Sequence, residues 1–120
     1  MFKELSLGML LILSTHVVFA QNYVAGVGPM TCTMVNREAS KPEDGLASRL
    51  MTSRVIAWAQ GYMSRANVES IRSGGGVQFK VPTWTEMNDY MTGICAYEPD
   101  LEIWQAAERI EKILRKTSEP

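Results

Sequence analysis

The sequence predicts a small all-α domain of about four helices closed by one disulfide. Apolar residues recur at helical spacing in three separate segments, and clusters of glycine, proline and polar residues divide these segments. Only residues 77–81 alternate as a strand would, and no second strand is evident to pair with them. The chain has only two cysteines, Cys32 and Cys95, one before and one after the longest helical segment.

The amino-terminal residues have the pattern of a signal peptide. Lys3 precedes an apolar stretch over residues 5–19, and Val18 and Ala20 are the small residues expected before a cleavage site. A membrane-spanning helix needs about 20 apolar residues, whereas polar side chains at 14–16 interrupt this shorter stretch. We therefore expect residues 1–20 to be removed after Ala20. The mature domain, residues 21–120, would then be periplasmic or secreted, without a stable membrane anchor.

Export affects the interpretation of the two cysteines. An oxidising compartment favours a disulfide between Cys32 and Cys95. The closed loop would exceed sixty residues, for which the chain-entropy model gives a stabilisation of about 4 kcal/mol. A reactive thiol pair is the alternative, which the wide separation of the two residues disfavours relative to a Cys-X-X-Cys motif.

Charge and composition exclude several classes of function. Without residues 1–20, which hold one acid and one base, 12 acidic and 11 basic residues remain, so no strongly basic face for nucleic acid is predicted. The only histidine, His16, lies in the predicted signal peptide. The mature chain therefore cannot build a Ser-His-Asp, Cys-His or histidine metal site. We expect a protein that is not an enzyme and has no metal or cofactor.

Three main helices follow a short first one. Residues 22–29 read as a loose arm, and Thr31 is placed to cap the short helix. The longest helix is predicted over residues 46–72, where Gly61 indicates a close approach by another element or a bend. Its apolar side holds Met51, Val55, Ile56, Trp58, Ala59, Tyr62, Met63 and Ala66.

The two carboxy-terminal helices carry recognisable start signals. Thr83 and Glu86 fit a capping box, and the glycines at 74–76 precede an extended segment in which Phe79 is expected to point inward. The helix begun at Thr83 has one apolar arc, formed by Trp84, Met87, Tyr90, Met91, Ile94 and Cys95. Residues 98–100, Glu-Pro-Asp, are expected to begin the last helix. Its apolar stripe is Ile103, Ala106, Ala107, Ile110, Ile113 and Leu114.

Three groups of side chains could have roles beyond the fold. The carboxylates of Glu98, Asp100 and Glu102 cluster and could support general acid–base chemistry, although acids are also favoured at a helix start. A line of arginines, Arg54, Arg65 and Arg72, could bind anions but more commonly borders an apolar face.

The third group is the apolar pair Leu101 and Trp104, which lies off the apolar stripe of the last helix. These two side chains either pack under the amino-terminal arm or form a contact surface for another protein.

Several of these features together resemble the HdeA-like group of small exported bacterial helical proteins. They are the Thr-Cys start at Thr31, the Trp-Ala-Gln-Gly-Tyr sequence at 58–62, Tyr90 followed by Cys95 and Glu-Pro, and the last helix with Ala106-Ala107. The group includes periplasmic acid-stress chaperones and immunity proteins that neutralise secreted effectors. The resemblance implies that one disulfide, Cys32–Cys95, ties the first short helix to the end of the penultimate one. It also implies other proteins as partners, either unfolded clients or one specific effector, and a homodimer is compatible with it.

Overall fold

The computed structural model describes residues 24–40 and 45–120. Within them the chain forms four helices and no strand: α1 (Cys32–Ala39), α2 (Gly45–Ser73), α3 (Trp84–Tyr97) and α4 (Ile103–Ser118). The prediction of an all-α fold is confirmed. The predicted signal peptide and its cleavage site after Ala20 lie outside the described residues.

Helix α2 is the centre of the fold, and α1, α3 and α4 all pack against it. The apolar face predicted for α2 is confirmed, since Val55, Ile56, Ala59 and Met63 are buried and the other members of that face pack partly buried against them. The largest fully buried side chains are Ile56, Met63, Met87, Ile103 and Ile110. Burying a side chain of this size stabilises the fold by about 1.5–3 kcal/mol.

Of the two explanations predicted for Gly61, a close approach or a bend, the close approach does not occur. A Cβ atom added at Gly61 would meet nothing within 4 Å, and α2 continues through it. Close approaches occur instead at two other glycines. A Cβ on Gly28 would lie 2.6 Å from the Trp58 ring, and one on Gly76 would lie 2.7 Å from the Cβ of Ser70. These two positions, unlike Gly61, require glycine because a larger residue would clash there.

The predicted loose arm is packed in its described part, residues 24–29. The Trp58 indole donates a hydrogen bond to the Ala25 carbonyl at 2.9 Å, and Val27 is buried. The Met30 carbonyl accepts from the Ile103 amide at 2.8 Å. A partly buried indole N–H needs a hydrogen-bond acceptor, and this segment supplies one. The arm therefore links α2 to the start of α4.

The predicted start of the last helix is wrong. Glu98 ends α3, since its amide donates to the Ile94 carbonyl at 2.8 Å, and α4 begins only at Ile103. The cause is a long-range contact with α1. The Cys32 amide donates to the Leu101 carbonyl at 2.8 Å, which holds residues 98–102 out of a helix. Consequently, the first turn of α4 contains no acidic residue.

The extended segment at 77–82 lies on the helices as predicted, with Phe79 pointing inward and only 6% exposed. The Asn67 side chain holds both backbone groups of Phe79, donating to its carbonyl at 2.7 Å and accepting from its amide at 3.2 Å. The capping box of Thr83 and Glu86 is also confirmed. Trp84 is half exposed rather than buried, because residues 83–86 all lie on the surface.

Candidate functional site

The predicted disulfide is present. The sulfurs of Cys32 and Cys95 are 2.09 Å apart and their Cα atoms 5.2 Å apart, so the bridge joins the first residue of α1 to the end of α3. Both cysteines are buried in the core. A buried structural disulfide has no free thiolate, and reactivity as a thiol pair would require reduction first.

Leu101 and Trp104 lie where the amino-terminal segment meets α4. Leu101 packs partly buried against the core, while its carbonyl accepts from Cys32. The Trp104 amide donates to the Gly28 carbonyl at 3.1 Å, and its indole donates to the Glu102 carboxylate. The Trp104 backbone therefore anchors the arm, and the Leu101 backbone anchors α1. The role of this pair as a partner contact stays a prediction, for which the half-buried Trp104 ring is the accessible element.

The three clustered carboxylates do not converge on one site. Glu98 forms two hydrogen bonds with Arg109 of α4, at 2.9 and 3.1 Å. Glu102 precedes α4, where its amide donates to the Gln105 side chain and its carboxylate accepts from Trp104. Asp100 is exposed. Two of the three carboxylates thus fix the connection between α3 and α4, and this geometry brings no acid–base pair together.

Two arginines of the predicted line of three on α2 are paired within the helix. Arg65 and Arg72 share Glu69, at 2.5 and 3.8 Å, so they do not form an unopposed anion-binding stripe. Arg54 lies elsewhere, at a mainly apolar groove of about 630 Å³ that Met30, Met51 and Trp58 also line. Its position fits an arginine that borders an apolar face.

Sequence reasoning missed Arg115, which makes the densest polar contacts in the described part of the chain. Its guanidinium donates to the Ser70 hydroxyl at 2.9 Å, to the Ala66 carbonyl at 3.3 Å and to the Val77 carbonyl. It lies 5.2 Å from the centre of the Phe79 ring, a cation–π contact. Through these contacts, Arg115 of α4 connects the extended segment 77–82 to α2.

A groove beside this contact holds a tyrosine that stays neutral. Tyr62, Glu111 and Arg115 are among the residues that line it. Burial raises the pKa of Tyr62 above its ordinary value of 10.0, and the carboxylates of Glu111 and Glu108 raise it further. The phenol is therefore protonated at neutral pH, so it can donate a hydrogen bond but cannot serve as a general base.

A second groove lies along α3, beside Tyr90 and Ile94, which pack partly buried against the core. It has a volume of about 450 Å³ and is lined by Glu86, Asp89, Tyr90, Gly93 and Ile94. Most of its accessible surface is apolar, and Gly93 leaves its centre open because a Cβ there would meet nothing within 4 Å. We refer to this feature as the α3 groove. The sequence signal for it was a glycine inside an otherwise regular helix.

Comparisons with protein-family models, curated proteins and solved structures gave no match to this chain. Among the described residues, no helix is long and apolar enough to cross a membrane. Over the same residues, no group of three or more histidine, cysteine or acidic side chains is placed to hold a metal ion.

Proposed function

We propose that this protein is a non-enzymatic, exported protein that opens in acid and holds other unfolding proteins, as HdeA-like chaperones do. The proposal rests on two kinds of contact in the fold. Acid would break the hydrogen bonds and ion pairs of the glutamates and would leave the disulfide intact. Glutamates hold the ends of α3 and α4 in place, whereas the disulfide between α1 and α3 does not titrate. Acid would therefore loosen the helices while the chain stays tethered.

Glu86 is one of the acid-sensitive contacts. The Thr83 amide donates to its carboxylate at 2.7 Å, and this hydrogen bond lowers the pKa of Glu86, with smaller contributions from the Thr83 hydroxyl and nearby Lys80. A carboxylate whose pKa is depressed by folding stabilises the fold above its unfolded pKa. This stabilisation is lost as pH falls through the folded pKa, so acid weakens the start of α3.

Two ion pairs between glutamates and arginines hold α4 in place. Glu98 at the end of α3 binds Arg109 of α4, and Glu111 lies 3.2 Å from Arg115, which holds the segment 77–82. Carboxylates have reference pKa values near 4, so most are neutral below about pH 3. The 11 basic residues of the predicted mature chain then repel one another. This repulsion favours a loosened chain that exposes its apolar core faces.

The proposal is tested with an unrelated enzyme that unfolds and aggregates at pH 2–3. The oxidised mature protein, at a molar ratio near one, is expected to suppress light scattering by that client at pH 2–3 and to have no effect at pH 7. An equal mass of a small acid-stable protein serves as the control. If client aggregation at pH 2–3 is unchanged, the chaperone function is wrong.

An immunity protein that neutralises a secreted effector is the second candidate. The observation that favours it is the α3 groove, which exists only while α3 is folded and which no other part of the described chain fills. Such a protein would bind one partner tightly near pH 7 and would give no client protection in acid.

A further inference from the structure

We propose that the α3 groove, formed by Glu86, Asp89, Tyr90, Gly93 and Ile94, binds a basic amphipathic helical segment of another protein at neutral pH. The inference deepens the second candidate function. It concerns the folded protein and is independent of opening in acid, so the two proposals can fail separately.

The shape of the groove fits a helix or a large apolar side chain. The groove is shallow and open, because all five residues that line it lie on α3. Tyr90 and Ile94 form apolar sides, and Tyr97, which is 89% exposed, lies one helical turn beyond Gly93. Exposed tyrosines next to an apolar cleft are typical of protein interfaces, because the ring is both large and amphipathic.

Gly93 is the least expected residue in the groove. Glycine in a helix interior is less stable than alanine, because it loses more conformational freedom on folding. Gly93 has neither a positive φ angle nor any neighbour that a Cβ would strike. Nothing within the described fold therefore requires glycine at this position. Its missing side chain leaves the α3 backbone in the groove accessible to a partner.

The charge of the groove determines the kind of partner. Glu86 and Asp89 lie on its rim, and α3 contains no lysine or arginine. Lys80 lies near enough to Glu86 to act on its carboxylate, whereas Asp89 forms no ion pair with a described residue. An apolar cleft with acidic edges is complementary to an apolar helix face flanked by lysine or arginine.

The same charges disfavour a symmetric dimer through this face. Two copies related by a two-fold axis would bring the same patch of each copy together. Glu86 and Asp89 of both copies, four carboxylates in all, would then lie in one interface. At neutral pH these like charges repel, so the groove favours a partner of opposite charge over a second copy.

The test uses the oxidised mature protein at pH 7 and low salt. One probe is a synthetic amphipathic helical peptide of alanine, leucine and lysine, and the other is the same peptide with every lysine replaced by glutamate. Binding is measured by fluorescence anisotropy, and the site is mapped by amide chemical shifts. The lysine peptide is expected to bind roughly tenfold or more tightly than the glutamate peptide and to shift the amides of α3.

Two variants and a matched control locate the site. Gly93→Leu fills the groove, and Asp89→Lys reverses the charge at that position. Each is expected to raise the Kd of the lysine peptide roughly tenfold. Gly61→Leu is the control, because Gly61 is also an exposed helix glycine with open space around it. Thermal unfolding confirms that all three variants fold, which is expected because leucine favours helix at both glycine positions.

The inference is overturned if neither peptide binds, if both bind equally, or if Gly93→Leu binds as the parent protein does. Self-association at pH 7 that Gly93→Leu abolishes would assign the groove to a second copy, and this also contradicts the inference. Client protection in acid bears on none of these outcomes, because every measurement is made on the folded protein.

Discussion

Reduction of the Cys32–Cys95 disulfide is expected to lower the free energy of unfolding by about 4 kcal/mol. The bridge connects residues 63 apart in sequence, so cutting it releases a large loop in the unfolded chain. A domain of this size has a net stability of only about 5–15 kcal/mol. The bridge also holds α1, the shortest helix, to α3. Loss of the disulfide should therefore bring the protein close to unfolding at physiological temperature.

Urea unfolding of the oxidised and reduced mature protein measures this effect. Cys32→Ser and Cys95→Ser are expected to lower the free energy of unfolding by about the same amount. The double variant should lower it no more than either, because the same single bond is lost in every case. Losses that add in the double variant would show that the two cysteines stabilise the fold independently, which contradicts this account.

Phe79→Ala is expected to cost about 3–5 kcal/mol, the range found when a buried phenylalanine is truncated. Phe79 and Pro82 are the buried residues of the segment between α2 and α3, and the Phe79 ring also contacts the Arg115 guanidinium. Truncation would leave a cavity and remove that cation–π contact. Without the buried ring, the hydrogen bonds between the Asn67 side chain and the backbone of residue 79 would lose their support from packing. Residues 77–82 should therefore open locally.

The matched control is Gln78→Ala, because Gln78 precedes Phe79 in the same segment and is exposed. It is expected to change stability by less than about 0.5 kcal/mol. Hydrogen exchange of the Phe79 amide, which donates to Asn67, reports the local opening. A loss below about 1 kcal/mol for Phe79→Ala would mean that the segment is not part of the core.

Features that depend on neighbouring residues could be predicted from the sequence. Thr31 accepts from the Met34 amide, and Thr83 and Glu86 cap each other, as their spacing indicates. Helical periodicity likewise identified the buried faces of α2 and α4, except that Ile113, predicted in the apolar stripe of α4, is 41% exposed. Caps and periodicity are local, because the groups that interact lie within about four residues of one another.

Features that depend on distant residues could not be predicted in this way. Residues 98–100 have the composition of a helix start, but the Leu101 carbonyl binds the Cys32 amide instead. The amino-terminal arm looked loose because its glycines are locally flexible, whereas Trp58 on α2 holds it in place. In each case, a contact across the fold overrides the local preference.

The same distinction applies to the candidate sites. Arg115 appeared to be one of several bases near the end of α4, and only the fold brings the Ala66 and Val77 carbonyls to its guanidinium. The α3 groove had one sequence signal, a glycine at position 93 inside a helix. That glycine alone does not predict a groove, because the empty space around it is known only from the structure.

We expect acid to open the helices while the disulfide keeps the chain tethered. The most direct measurement is binding of an apolar-surface dye to the oxidised mature protein from pH 7 to pH 2, with mass analysis of the disulfide at each pH. The account predicts a rise in dye binding between about pH 5 and pH 2 with the bridge intact. Glu98→Gln should move this rise to higher pH, and Glu119→Gln, at an exposed residue after α4, should not. A protein that stays compact and binds no dye at pH 2 would contradict the account.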